Sequence, residues 1–373
     1  MEEKSKVYFT DFRARPGYNL LQKLEKLVKK AGIENIDFEN KYVAIKIHFG
    51  EPGNLAYLRP NYSKVIVDLV KKLGGKPFLT DCNTLYVGGR KNALDHLDSA
   101  YINGYNPFTT GCHIIIADGL KGTDEQYVEI NQEYVKTAKI GRAIMDADVI
   151  ISMNHFKGHE GTGFGGAIKN IGMGCGSRAG KMEMHSSGKP NVIPEHCKKC
   201  KQCIKICAHG AISYNEEGKA VIDHNKCVGC GRCIGICNFD AIKSPNDEAA
   251  DILNKKMAEY ALAVVKDKPQ FHISLICDVS PNCDCHGEND VPIVPNIGML
   301  ASFDMVALDK ACADLVNKQE IFEKSYLAEQ MKNGVKEKDL FHCNHPDTNW
   351  ESQIEHGEEI GLGTKEYELI EIK

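Results

Sequence analysis

The sequence predicts an α/β fold in which a mostly parallel sheet, flanked by helices, is interrupted by a small cysteine-rich insert. Two observations predict this fold. Short apolar segments rich in β-branched residues alternate with amphipathic helical patterns along most of the chain, as in parallel α/β sheets. Between residues 190 and 245 this alternation stops, and eight of the sixteen cysteines of the 373-residue chain lie there.

The predicted strands of the first half are short apolar segments bounded by Gly, Pro, Asp or Asn, which is typical of buried strands. They cover residues 43–49, 77–81, 113–117 and 148–153. Two helices are predicted from apolar residues that share one face opposite lysines. Their apolar residues are Leu20, Leu24, Leu27 and Val28 in the first, and Val65, Leu69, Val70 and Leu73 in the second.

The α/β pattern returns after the cysteine-rich segment. A helix is predicted over 249–266, a buried strand over 271–277, a helix around 306–315 and a last strand over 367–372. We therefore expect one α/β domain formed by residues 1–189 and 246–373, with residues 190–245 inserted into it. A separate third domain after residue 250 is the alternative.

Composition excludes several classes of function. The 46 basic and 51 acidic residues are interspersed and give a net charge of -5, without the basic stripe of a nucleic-acid-binding protein. The sequence shows neither a signal segment at residue 1 nor an apolar run near the roughly 18 residues of a membrane span. We expect a cytoplasmic protein with no nucleic-acid or membrane partner. In that compartment, cysteines bind metals more often than they form disulfides.

The cysteine-rich segment contains an internal repeat. Four cysteines with the spacing C-x2-C-x2-C-x3-C recur thirty residues later, and an Ala-Ile pair follows each set, at Ala211-Ile212 and Ala241-Ile242. The cysteines are Cys197, Cys200, Cys203 and Cys207, then Cys227, Cys230, Cys233 and Cys237. Three thiolates at this spacing can bind three corners of an iron-sulfur cube, while the remote fourth cysteine binds the other cube.

The spacing therefore predicts two [4Fe-4S] clusters. The first is assigned to Cys197, Cys200, Cys203 and Cys237, and the second to Cys227, Cys230, Cys233 and Cys207. The alternative is a pair of structural zinc sites, but a third cysteine at the next x2 step has no use in a tetrahedral site. The segment resembles the bacterial two-cluster ferredoxins, which implies a small α+β ferredoxin-like insert. It departs from their pattern where Ala208 and Asn238 replace the usual proline after the fourth cysteine.

The segment 154–176 follows a predicted strand and contains several types of reactive side chain. Its glycines Gly161, Gly163 and Gly166 match G-x-G-x-x-G, a pattern of phosphate-binding loops, although the match begins late after the strand. We predict a cofactor site at these glycines and Asn170. Loops at the carboxyl ends of parallel strands commonly form active sites. The predicted catalytic residues are His155, Lys157, His159, Lys169 and, after another strand, Asp81. A turn-rich surface loop with solvated histidines is the alternative.

A second dense group of ligand-type residues lies in 277–292, also after a predicted strand. Cys283, Cys285 and His286 are a possible third metal site. The spacing C-x-C-H is not a standard zinc motif, so free thiols or a redox pair are the alternatives.

Taken together, these motifs resemble the uncharacterised iron-sulfur protein family called domain of unknown function 362. The motifs that carry the resemblance are KIHFGEPGN, TDCNTLY, HFKGHEGTGFGGAIKN, CDCHGENDVPIVPNIGMLASFDMVALDKA and EEIGLG. The resemblance covers nearly the whole chain and implies an α/β domain that carries a ferredoxin insert.

The sequence predicts an iron-sulfur redox protein whose insert transfers single electrons to or from a ligand or metal site in the α/β domain. This would make it a ferredoxin-linked oxidoreductase, because tethering holds an electron carrier at about millimolar effective concentration beside its acceptor. The predicted cofactors are two [4Fe-4S] clusters and one further metal or flavin, and the expected partner is a redox protein or a small-molecule substrate. The alternative is a non-catalytic electron carrier or a metal-handling protein.

Overall fold

A computed structural model describes residues 4–86, 88–186, 189–229, 231–239, 241–243, 249–337 and 339–373. It confirms the α/β class. The strands are β1 (Ser5–Asp11), β2 (Tyr42–Lys46), β3 (Lys76–Asp81), β4 (Ile114–Ile116), β5 (Glu125–Glu129), β6 (Thr137–Gly141), β7 (Val149–His155), β8 (Lys157–His159), β9 (Gly163–Gly165), β10 (Asn191–Val192), β11 (Ile212–Tyr214), β12 (Ala220–Ile222), β13 (Ile242–Lys243), β14 (Gln270–Ile276), β15 (Gly298–Ser302) and β16 (Tyr367–Glu371).

The helices lie mostly between these strands. They are α1 (Leu20–Lys30), α2 (Pro60–Lys72), α3 (Ala93–Ile102), α4 (Pro107–Thr110), α5 (Arg142–Met145), α6 (Ala167–Cys175), α7 (Arg178–His185), α8 (Gln202–Ile206), α9 (Arg232–Ile236), α10 (Ala250–Val265), α11 (Met305–Asn317), α12 (Tyr326–Lys332), α13 (Leu340–Asn344) and α14 (Glu351–Glu359). Within the described residues, no helix is both long enough and apolar enough to cross a membrane.

Eight of the described strands form the central sheet, in the order β16-β1-β15-β14-β7-β2-β3-β4. Adjacent strands of this sheet are parallel, except that β15 runs antiparallel to both β1 and β14. Strands from before residue 190 and after residue 245 are hydrogen-bonded side by side, as in the pair β7 and β14.

The centre of the sheet is buried on both faces, which explains its nearly continuous apolar segments. In β7, Val149, Ile151 and Met153 pack on one face, while Ile150 packs on the other. Helices α1 and α2 cover the first face, and α6, α10 and α11 cover the second. Burial on both sides fixes the carboxyl ends of the strands rigidly at one edge of the sheet.

The cysteine-rich segment repeats in structure as well as in sequence. Its helices α8 and α9 begin thirty residues apart, and each is preceded by a residue in the left-handed conformation, Lys201 or Gly231. The same conformation recurs at Lys199 and Gly229. The second copy thus has glycine, which adopts positive φ without steric cost, where the first copy has lysine.

The insert shares its apolar core with the α/β domain. Leu85 and Met182 from the α/β domain pack in the same cluster as Ile234 and Ile242 of the insert. The Lys91 ammonium group also donates a hydrogen bond to the Cys237 carbonyl oxygen over 2.7 Å. The insert is therefore docked against the sheet domain rather than held by its two chain connections alone.

Candidate functional site

Cysteines of the insert line two cavities. The first is lined by Cys197, Cys200, Cys203 and Cys237, together with apolar residues such as Ala241 and Ile242. The second is lined by Cys207, Cys227 and Cys233. Cys230, which is predicted to complete the second set, lies outside the described residues. Each cavity thus contains cysteines of both copies, and the assignment of the eight cysteines as cluster ligands stays a prediction.

The residues of the first cavity fit a four-iron cluster. It offers four thiol ligands in apolar surroundings, and the Ala220 backbone N–H donates to Cys197 Sγ over 3.5 Å. In the second cavity the Ala211 N–H donates to Cys207 Sγ over 3.3 Å. Backbone donors of this kind stabilise cluster sulfurs and tune their potential.

A separate pocket lies at the carboxyl ends of the parallel strands in the α/β domain. Lys46 ends β2, Asp81 ends β3 and His155 ends β7, and all three are buried. The Lys46 ammonium nitrogen lies 3.0 Å from Asp81 Oδ1 and donates to the Asn170 side-chain oxygen over 2.9 Å. Lys46 is thus held between a strand end and helix α6, where its charge faces the pocket.

The pocket carries an excess of positive charge. Five cationic side chains line it, while Asp81 is the carboxylate among its lining residues; the cations are Lys46, Arg90, Lys157, Lys169 and Lys181. Arg90 is neutralised in part by Glu51, whose Oε2 accepts from Arg90 Nε over 2.7 Å. Charges buried together in one cavity attract a ligand of opposite charge, so this pocket suits a small anion.

Lys169 differs from an ordinary lysine. Burial, followed by the charge of Lys157, lowers the pKa of the Lys169 ammonium group to about 7. Its amine therefore exchanges a proton near neutral pH, which suits a general acid or base. The pKa of the nearby His48 is lowered for similar reasons. Burial and then the charge of Arg90 hold the pKa of its imidazole well below the usual range.

His155 and Lys157 are organised by Asp284, which sequence analysis missed. His155 Nδ1 lies 2.9 Å from Asp284 Oδ2, and its Nε2 lies 2.6 Å from the Cys277 carbonyl oxygen. Lys157 donates to the His155 carbonyl oxygen over 3.0 Å and lies 3.6 Å from Asp284 Oδ2. Burial opposes ionisation of Asp284, but the charges of His155 and Lys157 outweigh it and lower the pKa. Both ring nitrogens of His155 thus have hydrogen-bond partners within the protein.

A larger cleft of about 760 Å³ connects this pocket with the insert. Its wall on the α/β side includes Lys169, Lys181 and Cys285, and its other wall includes Ile234 and Ile242 of the insert. Lys169, Lys181 and Cys285 also line the cationic pocket, so the two spaces adjoin. Ile242 lines the first cysteine cavity as well.

His159 and Glu160 face this cleft rather than the cationic pocket. His159 Nδ1 accepts hydrogen bonds from the N–H groups of Gly161 and Thr162, which leaves Nε2 3.8 Å from Glu160 Oε1. Glu160 also lies 3.0 Å from His286 Nε2. That contact raises the pKa of His286. The cleft wall therefore includes an ion pair beside the pocket entrance.

Cys283 and Cys285 are joined to each other as a disulfide in this structure. Lys169 Nζ lies 3.5 Å from Cys283 Sγ, and the Cys283 N–H donates to Glu160 Oε2 over 3.3 Å. The third metal site predicted at Cys283, Cys285 and His286 would require this pair to be reduced and His286 to leave Glu160. That metal site stays a prediction.

The glycine-rich loop does not form a free phosphate-binding helix end. The Asp309 carboxylate accepts hydrogen bonds from Ala167 N and Ile168 N at the start of α6, over 2.7 and 2.9 Å. A pyrophosphate would have to displace Asp309, so the geometry does not favour a dinucleotide there. Gly166 and Asn170 line the cationic pocket. Gly163 instead packs against Trp350, so it serves the hairpin of β8 and β9.

The structure thus brings together four of the five predicted catalytic residues. Asp81, His155, Lys157 and Lys169 line one pocket, while His159 lies in the adjoining cleft. Sequence analysis missed the cations Lys46, Arg90 and Lys181 and the carboxylates Asp284 and Glu160. The sequence could have indicated Lys46 as a site residue, since it is a charged residue at the end of an otherwise apolar strand. No sequence pattern indicates Arg90 or Lys181.

Fold and site define an α/β protein whose cationic strand-end pocket adjoins a cysteine-rich insert. The chain belongs to the family described as Domain of unknown function (DUF362), whose model matches residues 43–314. Comparison with curated proteins gives no match.

Two proteins are among the solved structures that are similar to this chain. One is a Thermotoga maritima protein solved as a structural genomics target, with 13% identity and a TM-score of 0.41 over 79% of this chain and 57% of that chain. The present chain therefore spans little more than half the length of that protein. The other is the lactate racemase apoprotein from Thermoanaerobacterium thermosaccharolyticum, with 12% identity and a TM-score of 0.42 over 100% of this chain and 84% of that chain.

Proposed function

We propose that the protein is an iron-sulfur oxidoreductase, in which two [4Fe-4S] clusters of the insert exchange single electrons with a small anionic substrate in the cationic pocket. One observation carries the proposal: a single cleft is lined by the insert on one wall and by pocket residues Lys169 and Lys181 on the other. In the proposed division of the chain, residues 190–245 carry the clusters and the two flanking segments form the substrate domain.

The spacing of the cysteines supports clusters over zinc. In the part of the chain that the structure describes, the group of three or more possible ligands whose atoms all lie within 4.8 Å of one another is Asp339, His342 and Glu351. The cysteines of the first cavity are therefore spread more widely than a tetrahedral zinc would hold them, since Zn–S bonds are about 2.3 Å long. A four-iron cube needs such wider spacing, because each cysteine binds a different iron.

The clusters supply one-electron transfer, and the side chains of the pocket supply binding and proton control. Lys46 and Lys157 are fixed by Asp81 and Asp284, and each presents a cation toward the substrate. Lys169, whose pKa lies near 7, delivers or accepts the proton that accompanies electron transfer. The cleft of about 760 Å³ also has room for a flavin as a further cofactor.

The first experiment measures iron, sulfide, zinc and flavin in protein purified without oxygen. About eight irons per chain are expected, since each cluster holds four. A colourless protein saturated with zinc would overturn the redox proposal.

The second experiment separates an enzyme from a non-catalytic carrier. Oxalate and inorganic phosphate are titrated into the reduced protein while the paramagnetic spectrum of the clusters and the Tm are followed. The enzyme is expected to bind one of these anions and to change both signals, because bound ligand stabilises the folded state. Lys169→Met should strongly weaken the response, whereas the control Lys64→Met, on the exposed face of α2, should retain it. A carrier would ignore both anions.

A further inference from the structure

We propose that Cys283 and Cys285 form a redox-active dithiol/disulfide pair that stores two electrons between the one-electron clusters and the substrate. This inference rests on the proposed function and assigns a use to a pair that the function does not otherwise need. The two residues lie in the loop after β14, at the same sheet edge as the cationic pocket.

The position of the pair supports this role. Cys285 lines both the cationic pocket and the cleft, so it faces substrate on one side and the insert on the other. Ile242 lines both the cleft and the first cysteine cavity. Cys285 therefore lies across the cleft from Ile242, an insert residue that also lines the first cysteine cavity.

The surroundings of the pair favour thiol chemistry. Lys169 Nζ lies 3.5 Å from Cys283 Sγ, where its positive charge stabilises the thiolate that forms when the disulfide opens. The backbone N–H of Cys283 is bonded to Glu160, which fixes the position of the loop beside the cleft. Cys82, which also lines the pocket, is a useful contrast, because burial raises the pKa of its thiol well above the usual value. Cys82 is thus poorly suited to the same chemistry.

The reaction balances with the expected redox partner protein as the one-electron donor or acceptor. Once reduced by that partner, the two clusters would supply one electron each, the Cys283–Cys285 sulfur–sulfur bond would break, and two protons from solvent would complete the two thiols. In the second half, the dithiol passes two electrons and two protons to an oxidised anionic substrate, and the sulfur–sulfur bond forms again. The reverse sequence oxidises the substrate and loads the clusters.

The test counts electrons. Full-length protein, purified without oxygen and then oxidised, is titrated with a standardised reductant while cluster absorbance is followed. Wild type should accept about four electrons per chain, two for the clusters and two for the disulfide, because each cluster takes one. The double variant C283S/C285S should accept about two and keep its cluster spectrum. Cys277→Ser, in the same loop but outside the disulfide, is the matched control and should accept about four.

Alkylation followed by mass spectrometry gives an independent readout that does not depend on the double variant folding. Cys283 and Cys285 should resist alkylation in oxidised wild type and react after reduction, and the single variant Cys285→Ser should leave Cys283 reactive in both states. Three results would contradict a redox-active pair. They are equal electron uptake by wild type and the double variant, alkylation of both thiols in oxidised protein, and a metal bound to the two cysteines. If iron is absent, the proposed function fails and so does electron supply by clusters, while alkylation still shows whether the pair itself cycles.

Discussion

The insert and the strand-end pocket are built in opposite ways. The eight cysteines of the insert lie between residues 197 and 237, and their spacing alone predicts how they group. The pocket gathers Lys46, Asp81 and Lys169, and Asp284 holds its residue His155 in place, so that residues up to 238 positions apart form one site. Ligand spacing of a few residues is set by local turns, whereas the pocket exists because parallel strands end at one edge. The comparison shows that the predicted cluster sites depend on local sequence, whereas the cationic pocket depends on the whole sheet.

The largest expected effect is the loss of iron when a cysteine of the insert is replaced. Cys207→Ser and Cys237→Ser should each lower the iron content from about eight to about four per chain, because each removes one of four ligands of a cube. If the fourth ligands are exchanged between copies, Cys237→Ser should remove the same paramagnetic signal as Cys200→Ser, and Cys207→Ser the same signal as Cys227→Ser. Iron analysis and electron paramagnetic resonance measure this.

Cys112→Ser, in the α/β domain, is the control and should retain about eight irons. If Cys237→Ser instead matched Cys227→Ser, each copy would bind its own cluster, and the exchange between copies would be wrong.

The next largest effect concerns Lys169 in the cationic pocket. Lys169→Met should lower turnover by about 10²–10⁴-fold, the usual loss when a general acid or base is removed. Iron content and cluster spectrum should not change, because Lys169 is outside the cysteine cavities. Lys64→Met, on the exposed face of α2 and outside both the pocket and the cleft, is the control and should keep the turnover of wild type. Equal turnover by wild type and Lys169→Met would remove Lys169 from the mechanism.

The pH dependence of anion binding is a smaller effect at the same residue. The pKa of Lys169 is about 7, so its positive charge is present below pH 7 and is lost above it. Affinity for oxalate or phosphate should therefore fall as pH rises through 7, by at least about tenfold for the loss of a charged hydrogen bond. Calorimetric titration at several pH values measures this, and Lys169→Met should bind weakly without that inflection.

Stability of the ligand-free protein should change in the opposite direction. Between the folded pKa of about 7 and the ordinary value of 10.5, the unfolded chain holds a proton on Lys169 that the folded protein does not. Stability therefore rises with pH across this window, because unfolding takes up a proton. Lys169→Met should remove that part of the pH dependence, as judged by denaturant unfolding from pH 7 to 10. A profile unchanged by the substitution would mean that Lys169 keeps an ordinary pKa.

The smallest effect tests the difference between the two copies within the insert. Lys199→Gly should raise the free energy of unfolding by a few tenths to about 1 kcal/mol. The left-handed backbone of a lysine costs about 1–2 kcal/mol, and the extra chain entropy of glycine offsets about 0.5–1 kcal/mol of that. Lys205→Gly, inside helix α8, is the matched control and should lower stability by up to about 1 kcal/mol. Thermal unfolding of the iron-loaded protein compares the two.

The elements predicted from periodicity are those with long apolar patterns. The central strands β2, β3, β7 and β14 and the helices α10 and α11 lie where the sequence predicts them. Strands β1 and β15 were missed, because β1 mixes polar with apolar residues and is only partly buried, and β15 is a five-residue segment without β-branched residues. The helices after residue 317 were missed because they are short and because much of what they bury is polar, such as His342 and Asn344 in α13.

The sequence by itself determined the α/β class, the family and the repeat of cysteines, because periodicity and ligand spacing are local properties that neighbouring residues settle among themselves. Only the tertiary structure decided that Asp284 holds His155 and Lys157, that Asp309 occupies the start of α6 and that a cleft joins insert and pocket. Those contacts join residues more than a hundred positions apart. Their geometry depends on how the whole sheet packs, so no local pattern encodes them.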